Sequence, residues 1–239
     1  GWSLQRAESR VALGMGLLGM AGFGVDYPQD PGNPILAPQP QGFGRVYSSY
    51  QYLRIPMAAA MRVNPRLAIG ATLFLGHSSL SADPSGFAAP DCSASGACYF
   101  PRALGGSSMG FGAQLGLTYR ASDRWRFGLA YTTPEQAQTF KFRSTVANPN
   151  LPTYGTARTL SLELANPAVA TAGVAMVANE HLTLALDYRR IFYSSAKGFG
   201  RDGQGWRDIS AVAFGAQWRT KGGFALRAGY NHGESPIGS

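Results

Sequence analysis

Two glycine-framed motifs and one cysteine pair are the places where this chain could do chemistry. Gly14-Met15-Gly16-Leu17-Leu18-Gly19 has the spacing of a dinucleotide fingerprint. That fingerprint holds pyrophosphate only where a strand turns into a helix whose first amides face the phosphates. Pro28, Pro31 and Pro34 follow here instead, so no helix can form. Gly106-Ser107-Ser108-Met109-Gly110 has the spacing of a nucleophile elbow. An elbow must also lead into a helix, and its serine needs a histidine partner. Phe111–Tyr119 alternates as a strand, and His77, His181 and His232 stand in unrelated contexts. Cys92 and Cys98, with no histidine nearby, make a poor metal site. In a loop facing an oxidising compartment they would form a small disulfide, with two free thiols as the alternative. No catalytic residue, metal or cofactor is expected.

Composition narrows the class of protein. Of 239 residues, 14% are charged, against roughly 25% in an average soluble domain. Glycine (31), proline (15) and 12% aromatic residues argue against both a disordered chain and a coiled coil. The formal charge is +8, carried mostly by arginines scattered singly from Arg6 to Arg227. Nucleic-acid binders concentrate such charge on one element, so no nucleic-acid partner is expected. No apolar run is long enough for a membrane-spanning helix. The nearest, Val11–Val25, is interrupted by Gly14, Gly16, Gly19, Gly22 and Gly24.

The elements that position these residues read as strands. Leu67–Leu75, Trp125–Tyr131, Leu182–Tyr188, Val212–Trp218 and Phe224–Tyr230 alternate with period two. One face is wholly apolar or aromatic. The other carries glycine, alanine, threonine, glutamine and scattered arginine, with Phe74 the only large apolar side chain. That second face is too poor in charge for a soluble surface. A transmembrane β-barrel inverts the usual order, with apolar residues toward lipid and small or polar ones toward the lumen. Tyr119, Trp125, Trp218 and Phe224 lie near chain reversals, where an interfacial aromatic girdle falls.

Connections alternate between tight and long. Asn64-Pro65, Ser122-Asp123, Asn179-Glu180 and Lys221-Gly222-Gly223 read as hairpin turns. Long connections cover about 26–46, 81–108, 134–167 and 194–207, a pattern of periplasmic turns and extracellular loops. About nine strands are expected, near 11–25, 47–63, 66–79, 109–120, 124–133, 168–178, 181–193, 208–219 and 223–232. The fold class is all-β: an antiparallel transmembrane β-barrel forming a single domain over 1–239. Arg54, Arg126, Arg189 and Arg227 fall on the lumen face. They would either hold an anionic head group or pair with Asp187, Glu163 or Asp208.

Several segments, in order along the chain, resemble the FadL family of outer-membrane transporters for hydrophobic compounds. Trp206-Arg207-Asp208, Ala213-Phe214-Gly215-Ala216-Gln217-Trp218, Phe224-Ala225-Leu226-Arg227-Ala228-Gly229-Tyr230 and Glu234-Ser235-Pro236-Ile237 make the most recognisable block. Leu162-Glu163-Leu164-Ala165-Asn166-Pro167 resembles another family segment. Val63-Asn64-Pro65-Arg66-Leu67-Ala68-Ile69-Gly70 and Asp123-Arg124-Trp125-Arg126-Phe127-Gly128-Leu129 resemble its turn-to-strand units.

The resemblance implies a fourteen-stranded barrel of the Gram-negative outer membrane, of which this chain covers a part without the family's N-terminal plug and last strands. It implies passive transport of long-chain fatty acids or hydrocarbons by a monomer surrounded by outer-membrane lipid and lipopolysaccharide. Substrate would be gathered by the loops at 81–108, with Phe87, Tyr99, Phe100 and Leu104, and at 134–167, with Phe140, Phe142, Leu151 and Tyr154. Val11–Val25 would correspond to the family's third strand, whose inward kink opens a lateral exit. Its five glycines would make such a deformation cheap. A water-filled porin and a structural or adhesive surface barrel are the alternatives.

Overall fold

The computed structural model describes residues 1–6, 8–220 and 222–237. Every segment with period-two alternation is extended, because that pattern lets a pleated strand present two chemically distinct faces. In chain order the strands are β1 (Trp2–Gln5), β2 (Val11–Met15), β3 (Leu18–Tyr27), β4 (Val46–Arg62), β5 (Leu67–Asp83), β6 (Asp91–Cys92), β7 (Cys98–Tyr99) and β8 (Ala103–Arg120). There follow β9 (Trp125–Thr132), β10 (Gln136–Ala137), β11 (Phe140–Thr145), β12 (Ala157–Leu162), β13 (Ala168–Val177), β14 (Leu182–Phe192), β15 (Ile209–Arg219) and β16 (Ala225–Gly233). One antiparallel sheet runs β1-β2-β4-β5-β8-β9-β13-β14-β15-β16, while β3 continues beside β4. Among the described residues no helix is long and apolar enough to cross a membrane.

The tight turns owe their geometry to short polar side chains. Asn64 Oδ1 accepts the amides of Arg66 and Leu67 at 2.8 and 2.9 Å. Asn179 Oδ1 does the same for His181 and Leu182 at 2.9 Å each. Ser122 Oγ takes the amides of Arg124 and Trp125. Such side chains imitate a backbone turn and pin the register of the strands they join. In the fourth turn Lys221 lies outside the described residues, and Gly223 adopts a φ of +84° that favours glycine.

The wall is inside-out relative to a soluble sheet. Leu73, Phe111, Leu115, Leu129 and Phe214 all point outward and are exposed. The opposite face is lined by Ala58, Gly70, Thr72, Gly116, Thr118, Gly128 and Thr171, which share one cavity across β4 to β13. The closest packing lies at the long-loop end, where Ala103, Phe140 and Phe142 form a buried cluster. β4 and β5 have 17 residues each and β8 has 18. A tilted strand needs only about 9–11 to cross a bilayer. The long-loop ends of these strands therefore stand clear of it.

Four features depart from the sequence reading. An unexpected strand, β1, pairs with β2 from Trp2↔Met15 to Gln5↔Ala12. The connection expected at 81–108 is shorter, because β5 runs to Asp83 and β8 begins at Ala103; it holds the small β6–β7 hairpin. The connection expected at 134–167 is largely a hairpin, in which β11 pairs with β12 from Phe140↔Leu162 to Thr145↔Ala157. Its strands are too short, and too polar on one face, to stand out from loop by periodicity. Finally, the strand expected at 11–25 is two strands. The ladder against β4 stops after Met15↔Met57 and resumes at Leu18↔Arg54. Gly16 donates its amide to the Pro56 carbonyl at 3.1 Å, but Pro56 has no N–H to return. A second irregularity shifts the register between Gly19 and Ala21.

Candidate functional site

The apolar cluster at the long-loop end is set by the alternation within β11. Phe140 and Phe142 turn inward, each 1% exposed, while Lys141 and Arg143 face out. The Phe142 ring lies over Gly106 of β8, in space a Cβ there would occupy. Phe87 packs against Phe142 with ring centroids 5.0 Å apart. Leu80, Leu160, Leu162 and Leu164 close around the two rings. The structure thus brings Phe87, Phe140 and Phe142 together. It places the other loop residues apart. Phe100 packs on Phe43 at 5.5 Å and Tyr99 lies in β7. Leu104 is 37% exposed, and Leu151 and Tyr154 sit at the tip of the β11–β12 hairpin. Leu80 lies on β5, Leu160 and Leu162 on β12 and Leu164 two residues beyond it, where no neighbouring aromatic residue marked them.

A polar latch ties this hairpin to the segment between β5 and β8. The Cys92–Cys98 bond closes the β6–β7 hairpin. Asp91 at its base accepts hydrogen bonds from Nη1 and Nη2 of Arg158, at 2.7 and 2.8 Å, and from the Ala147 amide at 2.7 Å. Asn148, fully buried, donates its side-chain amide to the carbonyls of Asp91 and Ala97. A bidentate arginine–carboxylate pair with further hydrogen bonds fixes orientation as well as distance. The two segments make one cap.

Below the cap, β4, β5 and β8 converge on a charged group that the sequence reading did not single out. Register against β8 slips by one residue between Thr132, opposite Gln114, and Gln136, opposite Phe111. The extra residue turns Glu135 inward, where it is 5% exposed. Its Oε2 accepts the Tyr52 hydroxyl at 2.5 Å and the Asn166 side-chain amide at 2.8 Å. Arg54 lies 3.6 Å from the same oxygen, donates to the Tyr52 hydroxyl at 2.9 Å, and stacks over the Phe74 ring at 3.9 Å. The carboxylate fits because Gly76 and Gly110 lack a Cβ, and the Phe74 ring because Gly112 lacks one. The sequence signals were Phe74, alone among small neighbours on its face, and an acidic residue just after Pro134 where strand alternation fails.

The other lumen arginines are placed differently. Arg227 donates to Gln217 at 2.7 Å, its cross-strand neighbour. Arg126 and Arg189 are exposed and make no ion pair among the described residues. Of the expected acidic partners, Asp208 lies 3.8 Å from Arg190 instead. Beneath the Glu135 cluster lies the small-residue cavity of about 470 Å³, which reaches Asp187 of β14. Gly14 lies in β2, Gly16 in the break, and Gly19, Gly22 and Gly24 in β3. Among the described residues no group of acidic, histidine or cysteine side chains could hold a metal ion.

An inside-out antiparallel wall, apolar outside, lined inside by small and polar residues and closed by an apolar cap, defines an integral β-barrel protein. The chain matches the outer membrane protein transport protein family (OMPP1/FadL/TodX) over residues 7–239, and it belongs to that family. It therefore ranks among outer-membrane transport proteins for hydrophobic compounds, not among enzymes. No curated protein sequence matches it. Among solved structures, it is similar to the toluene transporter TbuX of Ralstonia pickettii, with 22% identity and a TM-score of 0.77, covering 95% of this chain and 67% of that one. The Pseudomonas putida toluene transporter TodX gives 18% identity and a TM-score of 0.72, covering 97% and 66%. A Pseudomonas aeruginosa FadL homologue gives 16% identity and a TM-score of 0.71, covering 99% and 59%. The chain thus spans about two thirds of the toluene transporters' length.

Proposed function

We propose that this protein carries hydrophobic molecules, hydrocarbons or long alkyl chains, inward across the outer membrane without breaking a bond. The long-loop end faces the cell exterior, and the half-buried Phe87, Leu80, Leu160, Leu162 and Leu164, backed by the buried Phe140 and Phe142 rings, gather substrate. The substrate then passes into the small-residue cavity and leaves sideways at the interrupted ladder between Met15 and Leu18. The apolar cluster over the lumen is the observation that carries the reading. Each CH₂ buried there contributes about 0.8 kcal/mol, enough to concentrate substrate but not to trap it.

Equilibrium binding of an environment-sensitive alkyl fluorophore to the full-length protein in detergent micelles, displaced by toluene or dodecane, tests capture. Phe87→Ala should weaken it at least tenfold, the loss expected when an aromatic contact of roughly 1.5–3 kcal/mol is removed. Binding that does not saturate would end the reading. Gly16→Trp tests the exit: a Cβ at Gly16 meets ordinary contacts with Pro56, Gly1 and Leu18, so the side chain can enter the break. Uptake into cells should slow while binding is kept. Unchanged uptake would rule out this route.

A further inference from the structure

The Arg54–Glu135 pair divides the lumen between the apolar cap and the small-residue cavity. We propose that it is a specificity-determining charge filter, which passes uncharged apolar molecules and turns away carboxylates of the same length. This rests on the transport reading above and narrows its substrate class.

The positive charge that an incoming carboxylate would need is already balanced. Arg54 faces Glu135 on one side, the Tyr52 hydroxyl on another and the Phe74 ring across its plane. Its side chain keeps 18% exposure, so it borders the open lumen, whereas that of Glu135 keeps 4%. The pair has no net charge, and an uncharged molecule passing it needs no partner. A carboxylate would meet a second carboxylate beside a cation whose charge is already balanced, leaving a net negative charge, which a poorly hydrated site disfavours.

The arrangement is built rather than incidental. Glu135 and Asn166 hold each other twice: the Glu135 amide donates to the Asn166 carbonyl at 3.0 Å, and the Asn166 side chain donates back to Oε2 at 2.8 Å. The bulge aims Glu135 at the lumen, and the notches at Gly76, Gly110 and Gly112 leave room only for these side chains. Any Cβ at those glycines would overlap Glu135 or Phe74.

The experiment compares dodecanoate with 1-dodecanol, equal in length and different in charge, at pH 8 in the full-length refolded protein. The unaltered protein should prefer the alcohol. Glu135→Gln keeps shape and frees Arg54; it should raise dodecanoate affinity about tenfold, the scale of one charge-assisted hydrogen bond, and leave dodecanol nearly unchanged. Glu135→Gln with Arg54→Gln should restore the preference for the alcohol. Heat-modifiable gel mobility confirms that each variant is folded. If Glu135→Gln does not fold, Arg54→Gln alone leaves the carboxylate uncompensated and should weaken dodecanoate further. An unchanged dodecanoate-to-dodecanol ratio in the folded variants, or equal binding of both by the unaltered protein, overturns the filter alone. Saturable binding of neither probe overturns the filter together with the transport reading.

Discussion

The wall and the cap use the same period-two alternation and bury opposite faces. On β8 the large residues Phe111 and Leu115 point outward and are 60% and 63% exposed. On β11, an antiparallel neighbour further up the same strand, Phe140 and Phe142 point inward and are 1% exposed. Alternation therefore specifies a strand with two faces without saying which one is inside. The surroundings decide that. Lipid covers the apolar face of the wall, whereas water surrounds the cap and drives its rings onto Ala103 and the neighbouring leucines.

The difference can be tested with matched substitutions. Phe142→Ala should destabilise the cap by about 3–5 kcal/mol, because a fully buried ring leaves a cavity. Phe111→Ala on the wall should cost less than about 1 kcal/mol, because lipid chains refill the space. Hydrogen exchange should show lost protection over Phe140–Leu162 in the first variant alone. Equal losses in both would mean that the wall is not lipid-covered.

Leu115→Arg reverses the comparison, placing charge where the wall crosses the middle of the membrane. It should lower barrel stability in urea titrations in lipid by about 2–4 kcal/mol. A neutral effect would show that this face meets water.

The smallest effect lies at the rim. Asp26 accepts two hydrogen bonds from Arg45, both at 2.8 Å, which hold its carboxyl below the usual range. A lowered folded-state pKa means that the contact stabilises the rim above the ordinary carboxylate value and is lost as pH falls through the lowered one. Carbon NMR titration of Asp26 should give a midpoint below about 3.9, the unperturbed value, and Arg45→Gln should return it there. An identical midpoint in both would mean that solvent has dissolved the pair.

Much of the fold is legible in the sequence. Asn64, Ser122 and Asn179 announced their turns because each acts on amides two or three residues away. The alternating segments announced their strands, and their apolar faces announced a membrane wall. The site was legible in pieces: Phe87, Phe140 and Phe142 by type, Phe74 as the one bulky residue among small neighbours. Glu135 was not, since its place depends on a one-residue slip between β9 and β10.

Sequence alone settled what is local: period, turn chemistry and the chemical character of each face, all fixed by residues a few positions apart. Tertiary structure decided what needs distant segments to meet. Glu135 finds Tyr52 across 83 residues and Asn166 across 31, and Arg158 finds Asp91 across 67. A buried charge takes whatever donors the sheet brings beside it, and register, bulges and missing Cβ atoms determine which donors those are.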